Sequence, residues 1–278
     1  MRRNRVTIGK KEISYLFSEP AGARATTSAG APLRTAVFLH AFPMQAAMWE
    51  STVGAIPDGW RAVAPDLRGF GESPLPQPTS NGMADMAGDV VDLLDHMEVG
   101  EAAVFGCSMG GYVLFELLRN APAYVSAIGL VSTRPGADNE EGRRNRQKAI
   151  ELVEREGADA LAAQMIPKLL GASTQRERPD LVKHARNLIV ANTADGIKAA
   201  IAAMMERRDS TPLLAGINVP TLIVAGAEDT LIPPAEAQAM HAAIPTSRCE
   251  IMPFAGHLPN LEQPVVFDAL LSQFLQSL

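Results

Sequence analysis

The chain has 278 residues, of which 47% are hydrophobic and 20% charged, with a net charge of −6 and a pI of about 5.4. That apolar content excludes a disordered chain, and the mild acidity lacks the electrostatic footprint of a nucleic-acid binder. Two cysteines, Cys107 and Cys249, exclude a disulfide framework. The first residues, Met1-Arg2-Arg3-Asn4-Arg5, are basic, but no apolar stretch follows, so secretion by a signal peptide is not expected. No run approaches the ~20 apolar residues of a membrane span, and the expected location is the cytoplasm.

In chain order, residues 12–17 alternate weakly and read as an edge strand. Residues 20–32, rich in Ala, Gly, Ser and Thr, read as a loop. Short apolar runs at 35–39, 61–64, 102–105, 128–131, 221–225 and 249–252, each ended by a turn signal, suit strands buried on both faces. Helical patterns at 86–97, 109–119, 234–244 and 265–275 fall between them. This alternation predicts an α/β fold with a mostly parallel sheet flanked by helices. Between 139 and 208 no strand is evident, and four helical segments (143–156, 158–169, 178–191 and 196–206) are separated by Gly157, Gly171 with Ser173, and Asp195-Gly196. We therefore expect a core of residues 1–133 and 211–278 interrupted by a helical cap at 134–210.

The chemistry centres on Gly106-Cys107-Ser108-Met109-Gly110, a G-x-S-x-G that follows a strand-like run and precedes a helical one. A tight strand-to-helix turn of this kind projects a serine hydroxyl at the carboxyl end of the sheet. Serine is a poor nucleophile without a base. Of the five histidines, His96, His184 and His241 fall on predicted helices, whereas His257 lies in a loop just past the last strand. Loops at strand carboxyl ends are where open α/β sheets place reactive groups, so His257 is the candidate base. An acid must orient it. Glu228 and Asp229, after the 221–225 strand, both qualify chemically, and the shorter Asp229 better suits a tight turn facing His257. The backbone N–H groups of Met109 and Phe42 are the candidate oxyanion donors, which leaves His40 a structural role.

Together these segments resemble the α/β-hydrolase fold superfamily over nearly the whole chain. His40-Ala41-Phe42-Pro43 resembles its H-G-x-P loop, and residues 65–73 (Pro65-Asp66-Leu67-Arg68-Gly69-Phe70-Gly71-Glu72-Ser73) its D-x-R-G-x-G-x-S turn. Gly226-Ala227-Glu228-Asp229 resembles the acid turn and Gly256-His257 the base turn. The chain is most similar to small bacterial esterases and 3-oxoadipate enol-lactonase-like hydrolases. Ala41 departs from the usual glycine, which would matter if that position needs a positive φ. Loops of this kind often require a cis bond at the position of Pro43.

The resemblance implies a serine hydrolase that cleaves a small carboxylic ester or lactone through an acyl-enzyme. A carbon–carbon bond hydrolase, a cofactor-free perhydrolase and a ligand-binding receptor on the same fold are alternatives. Met165, Leu169, Met204 and Met205 in the cap are candidate pocket residues, although the same spacing also suits a packed core. Arg134, Arg207 and Arg208 flank the insert. They read as solvated or paired with Asp209, and one turned inward would point to a carboxylate-bearing substrate. Scattered histidines and the absence of a nucleotide-binding glycine motif predict no metal and no cofactor.

Overall fold

The computed structural model describes residues 1–19, 33–77 and 81–278. The expected loop at 20–32 lies outside the described residues. The strands are β1 (Arg2–Ile8), β2 (Lys11–Ser18), β3 (Arg34–Leu39), β4 (Trp60–Pro65), β5 (Ala102–Cys107), β6 (Val125–Val131), β7 (Thr221–Gly226) and β8 (Ser247–Met252). They form one sheet in the order β1-β2-β4-β3-β5-β6-β7-β8. β1 and β2 pair antiparallel, as do β2 and β4, and every other pair is parallel. The helices are α1 (Glu50–Gly54), α2 (Met83–His96), α3 (Met109–Asn120), α4 (Glu140–Leu169), α5 (Ala172–Glu177), α6 (Pro179–Val190), α7 (Ala194–Met205), α8 (Pro234–Ala243), α9 (Pro259–Glu262) and α10 (Pro264–Gln276).

The central strands carry apolar side chains on both faces because helices cover both. Val37, Leu39 and Val104 join α2 and α3 in one buried cluster, while Ala36, Phe38 and Phe105 join α10 in the other. Phe38 and Phe105 stack at 5.2 Å between centroids, and Phe105 meets Phe274 of α10 edge-on at 6.0 Å. Among the described residues no single helix is long and apolar enough to cross a bilayer.

The structure corrects the sequence reading in several places. β8 is an edge strand with alternating exposure, not a strand buried on both faces. β2 is not an edge strand: β1 covers its outer side, in register from Arg2↔Phe17 to Ile8↔Lys11. The basic start of the chain is that covering strand. Its alternate exposure hides an apolar signal of only Val6 and Ile8. The short helix α1 and the 3-10 turn Ala46–Trp49 before it are not evident from the sequence, because five and four residues are too few to show an amphipathic period.

The helices α4–α7 lie between β6 and β7. α4 is two helical segments that meet at Gly157, whose φ of 80° suits glycine. Gly196, in the first turn of α7, packs against Gly69 so closely that an added Cβ would lie 1.8 Å from the Gly69 oxygen. The insert is therefore seated on the turn after β4. Asn192 ties the same region down, donating to the carbonyl of Pro43 (2.8 Å) and accepting from the N–H of Gly71 (2.8 Å).

Candidate active site

Ser108 sits between β5 and α3 with φ 51° and ψ −110°, a conformation rarely adopted by a residue with a side chain. The bonds around it hold that strain. Its N–H donates to Val131 (2.9 Å), and its carbonyl accepts from Gly111 (2.9 Å) and the Thr133 hydroxyl (2.8 Å). The glycines are steric necessities here. A Cβ on Gly110 would lie 2.2 Å from the Leu39 oxygen, and one on Gly106 2.4 Å from the Gly110 carbonyl carbon.

The structure brings His257 and Asp229 together. Nδ1 of His257 lies 2.7 Å from Oδ2 of Asp229, and both side chains are buried. The other oxygen of Asp229 accepts from the N–H groups of Leu231 (2.9 Å) and Ile232 (3.0 Å). The carboxylate is thus fixed from both sides, holding the Nδ1 proton and leaving Nε2 as the basic nitrogen. Of the two carboxylates, Asp229 is the one in contact with His257. Glu228 faces away and accepts from the N–H (2.8 Å) and hydroxyl (2.5 Å) of Ser173, which draw its pKa below the usual carboxylate range.

His40 is fully buried and structural. Its Nδ1 meets the Ala41 carbonyl at 3.0 Å, so Nδ1 carries the proton, and its Nε2 accepts from the N–H of Leu67 at 3.0 Å. Burial lowers its pKa, keeping the ring neutral and the two loops bridged. Ala41 is absent from the residues with positive φ, so replacing glycine there carries no backbone cost, and the Phe42-Pro43 bond is cis. The backbone N–H groups of Phe42 and Met109 have no protein acceptor among the described residues.

Ser108, His257 and Phe42 line one cavity of about 370 Å³. From the insert, Met165 and Met204 line it as expected from the sequence, but Leu169 and Met205 do not. Leu169 is fully buried in the second core cluster, and Met205 packs against the first. Leu161 and Ile201 line the cavity in their place. They stand one helical turn before Met165 and Met204, a spacing that could have identified them.

None of the three arginines pairs with Asp209, and Arg207 is buried and not solvated, whereas Arg208 is largely exposed. Asp138, with a side chain 1% exposed, accepts from Arg134 (3.1 Å), Arg207 (2.8 Å) and Arg146. Burial pushes the Asp138 carboxyl up, but Arg146 and Arg207 more than offset it and hold the carboxyl below its ordinary value. Arg207 stacks over Tyr112 at 4.3 Å, and Arg208 instead pairs with Glu116 at 2.5 Å. Arg134 and Arg146 line the cavity, as do Lys148 and Lys168.

Residues 36–264 match the family model described as alpha/beta hydrolase fold. The chain belongs to the α/β hydrolase fold family. It is 34% identical to a thermophilic esterase from Thermogutta terrifontis, covering 100% of this chain and 99% of that one, with a TM-score of 0.89. It is 28% identical to 3-oxoadipate enol-lactonase 1 from Acinetobacter baylyi, covering 87% of this chain and 88% of that protein. The enol-lactonase from Burkholderia xenovorans LB400 shares the fold at a TM-score of 0.85 and 23% identity, covering 98% of this chain and 100% of that one.

Proposed function

We propose that this protein is a serine hydrolase that cleaves a small carboxylic ester or lactone with Ser108 as nucleophile, His257 as base and Asp229 as the acid that orients it. The observation that carries this reading is the strained serine sharing one cavity with a histidine whose far nitrogen is held by a buried carboxylate. His257 takes the Ser108 proton as the hydroxyl oxygen attacks the carbonyl carbon. The oxyanion is held by the N–H groups of Phe42 and Met109. Collapse expels the alkoxide, which His257 protonates, leaving an acyl-enzyme. Water, deprotonated by His257, attacks the ester carbon, and Ser108 leaves with the proton returned to it.

The cavity wall favours a narrower substrate class. Three guanidinium groups surround the single carboxylate of Asp138, and Arg134 and Arg146 are on the cavity lining. The excess positive charge suits an ester or lactone whose acyl end carries a second, ionised acid group. It stands out in a chain of net charge −6.

The test is steady-state turnover on p-nitrophenyl esters from acetate to decanoate, with Ser108→Ala alongside. Turnover that disappears in the variant supports the reading. Turnover that survives Ser108→Ala removes the proposed nucleophile, and a single burst without turnover favours a receptor.

A further inference from the structure

Of the buried carboxylates outside the hydrolytic scheme, Asp66, Asp89, Glu116 and Asp138 are paired with arginines, and Glu262 is not. Glu262, at the end of α9, is 3% exposed and forms no ion pair among the described residues. A buried carboxylate without a counter-ion is costly unless its oxygens are saturated by donors. Here four donors converge. Oε1 accepts from the N–H groups of Gly256 (2.8 Å) and Leu258 (3.1 Å), the residues on either side of His257. Oε2 accepts from the N–H of Gly171 (2.7 Å) and the hydroxyl of Thr174 (2.7 Å), where α4 ends and α5 begins. The N–H of His257 itself donates to the carbonyl of Leu169 at 3.1 Å.

Three consecutive backbone N–H groups of the base loop therefore end on Glu262 and on the insert. The backbones are also in contact, since a Cβ on Gly256 would lie 2.3 Å from the nitrogen of Gly171. No such network is needed merely to close the loop, since N–H groups at its ends could be satisfied by water if the loop were solvated. Burying the loop under the insert removes that water and leaves Glu262 as the acceptor.

We propose that Glu262 is a positioning residue for His257, and that by holding the base loop with one oxygen and the insert with the other it makes the placement of the base depend on the seating of the insert. This rests on the reading of His257 as the base. When the insert shifts away from residues 256–258, the two bonds to Oε2 and the bond to Leu169 break together. The imidazole then loses its register with Ser108, and turnover falls while substrate can still enter.

The test uses the full chain and three variants assayed on p-nitrophenyl butyrate. Glu262→Gln keeps the size but turns an NH₂ group toward two donors. Thr174→Val removes one hydroxyl donor from the insert side and leaves the base loop intact. His257→Ala tests the underlying reading. The expected results are a kcat at least tenfold lower in Glu262→Gln and three- to tenfold lower in Thr174→Val, with KM within about twofold of the parent and native circular dichroism. The rate of Ser108 phosphorylation by diethyl p-nitrophenyl phosphate should fall in parallel. Parent-like kcat in both variants overturns the proposal while His257→Ala remains inactive. If Glu262→Gln does not fold, Thr174→Val decides alone, and parent-like kcat there overturns the proposal. Activity retained in His257→Ala instead removes the reading on which it stands.

Discussion

Asp229 holds His257 through a 2.7 Å contact to Nδ1 while two backbone N–H groups occupy its other oxygen. The carboxylate therefore cannot rotate without leaving a buried donor unpaired, and the imidazole has one orientation and one tautomer. Replacing it by asparagine turns an NH₂ group either to Nδ1, which reverses the tautomer, or to the Leu231 and Ile232 donors. Asp229→Asn should lower kcat by roughly 10³–10⁴-fold with little change in KM. Steady-state kinetics on a p-nitrophenyl ester measures this, and a loss below tenfold would contradict the assigned role.

The seating of the insert depends on two glycines. Gly196→Ala would drive a methyl group into the carbonyl of Gly69, 1.8 Å from the Cβ position. Backbone must yield on one side, at a cost of about 1–3 kcal/mol. Urea denaturation should show a lower midpoint, and KM should rise because α7 carries Ile201 and Met204 of the cavity wall. Parent-like stability would mean that the contact relaxes freely.

His40 gives the protein an acid-sensitive contribution. Its buried ring binds a proton less well than in the unfolded chain, so protonation favours unfolding. The contribution is intact above about pH 6.5, the ordinary histidine value, and is lost as pH falls through the lower folded-state value. His40→Asn, which keeps a donor and an acceptor without a titrating proton, should be less stable at pH 7.5 and lose less stability than the parent on going to pH 5.5. Equal losses in the two proteins, read from urea midpoints, would exclude His40 as the source.

The cationic wall of the cavity makes a prediction about specificity. Arg146→Gln should reduce kcat/KM for the p-nitrophenyl monoester of glutaric acid by roughly 10–100-fold, the worth of a charge-assisted hydrogen bond. The uncharged butyrate ester should change by less than about threefold. Equal effects on both esters would mean that Arg146 serves only to hold Asp138.

How much of this was legible in the sequence follows from how local each signal is. Ser108, Asp229 and His257 each follow a strand of the parallel sheet, and each sits in a short motif with its own turn glycine. The apolar runs marked β3 to β7 because buried parallel strands need no alternation, whereas β8 is an edge strand with a partly polar pattern. β1 was opaque because a covering strand that carries three arginines and only Val6 and Ile8 as apolar residues gives little apolar signal. Pocket membership was half legible. Met165 and Met204 share their helix faces with Leu161 and Ile201, but which way Leu169 and Met205 point depends on how α4 and α7 pack. The arginine cluster was illegible for a similar reason. Asp138 is close in sequence to Arg134 alone, and Arg146 and Arg207 reach it only after the insert has folded.

Mass spectrometry after reaction with diethyl p-nitrophenyl phosphate tests whether Ser108 is the nucleophile. Attack by the Ser108 oxygen displaces p-nitrophenolate and leaves a diethylphosphoryl group on that serine. The expected result is stoichiometric p-nitrophenol release, one modified peptide containing Ser108, and neither in Ser108→Ala. A hydrolytically active protein modified at another residue, or not at all, would contradict it.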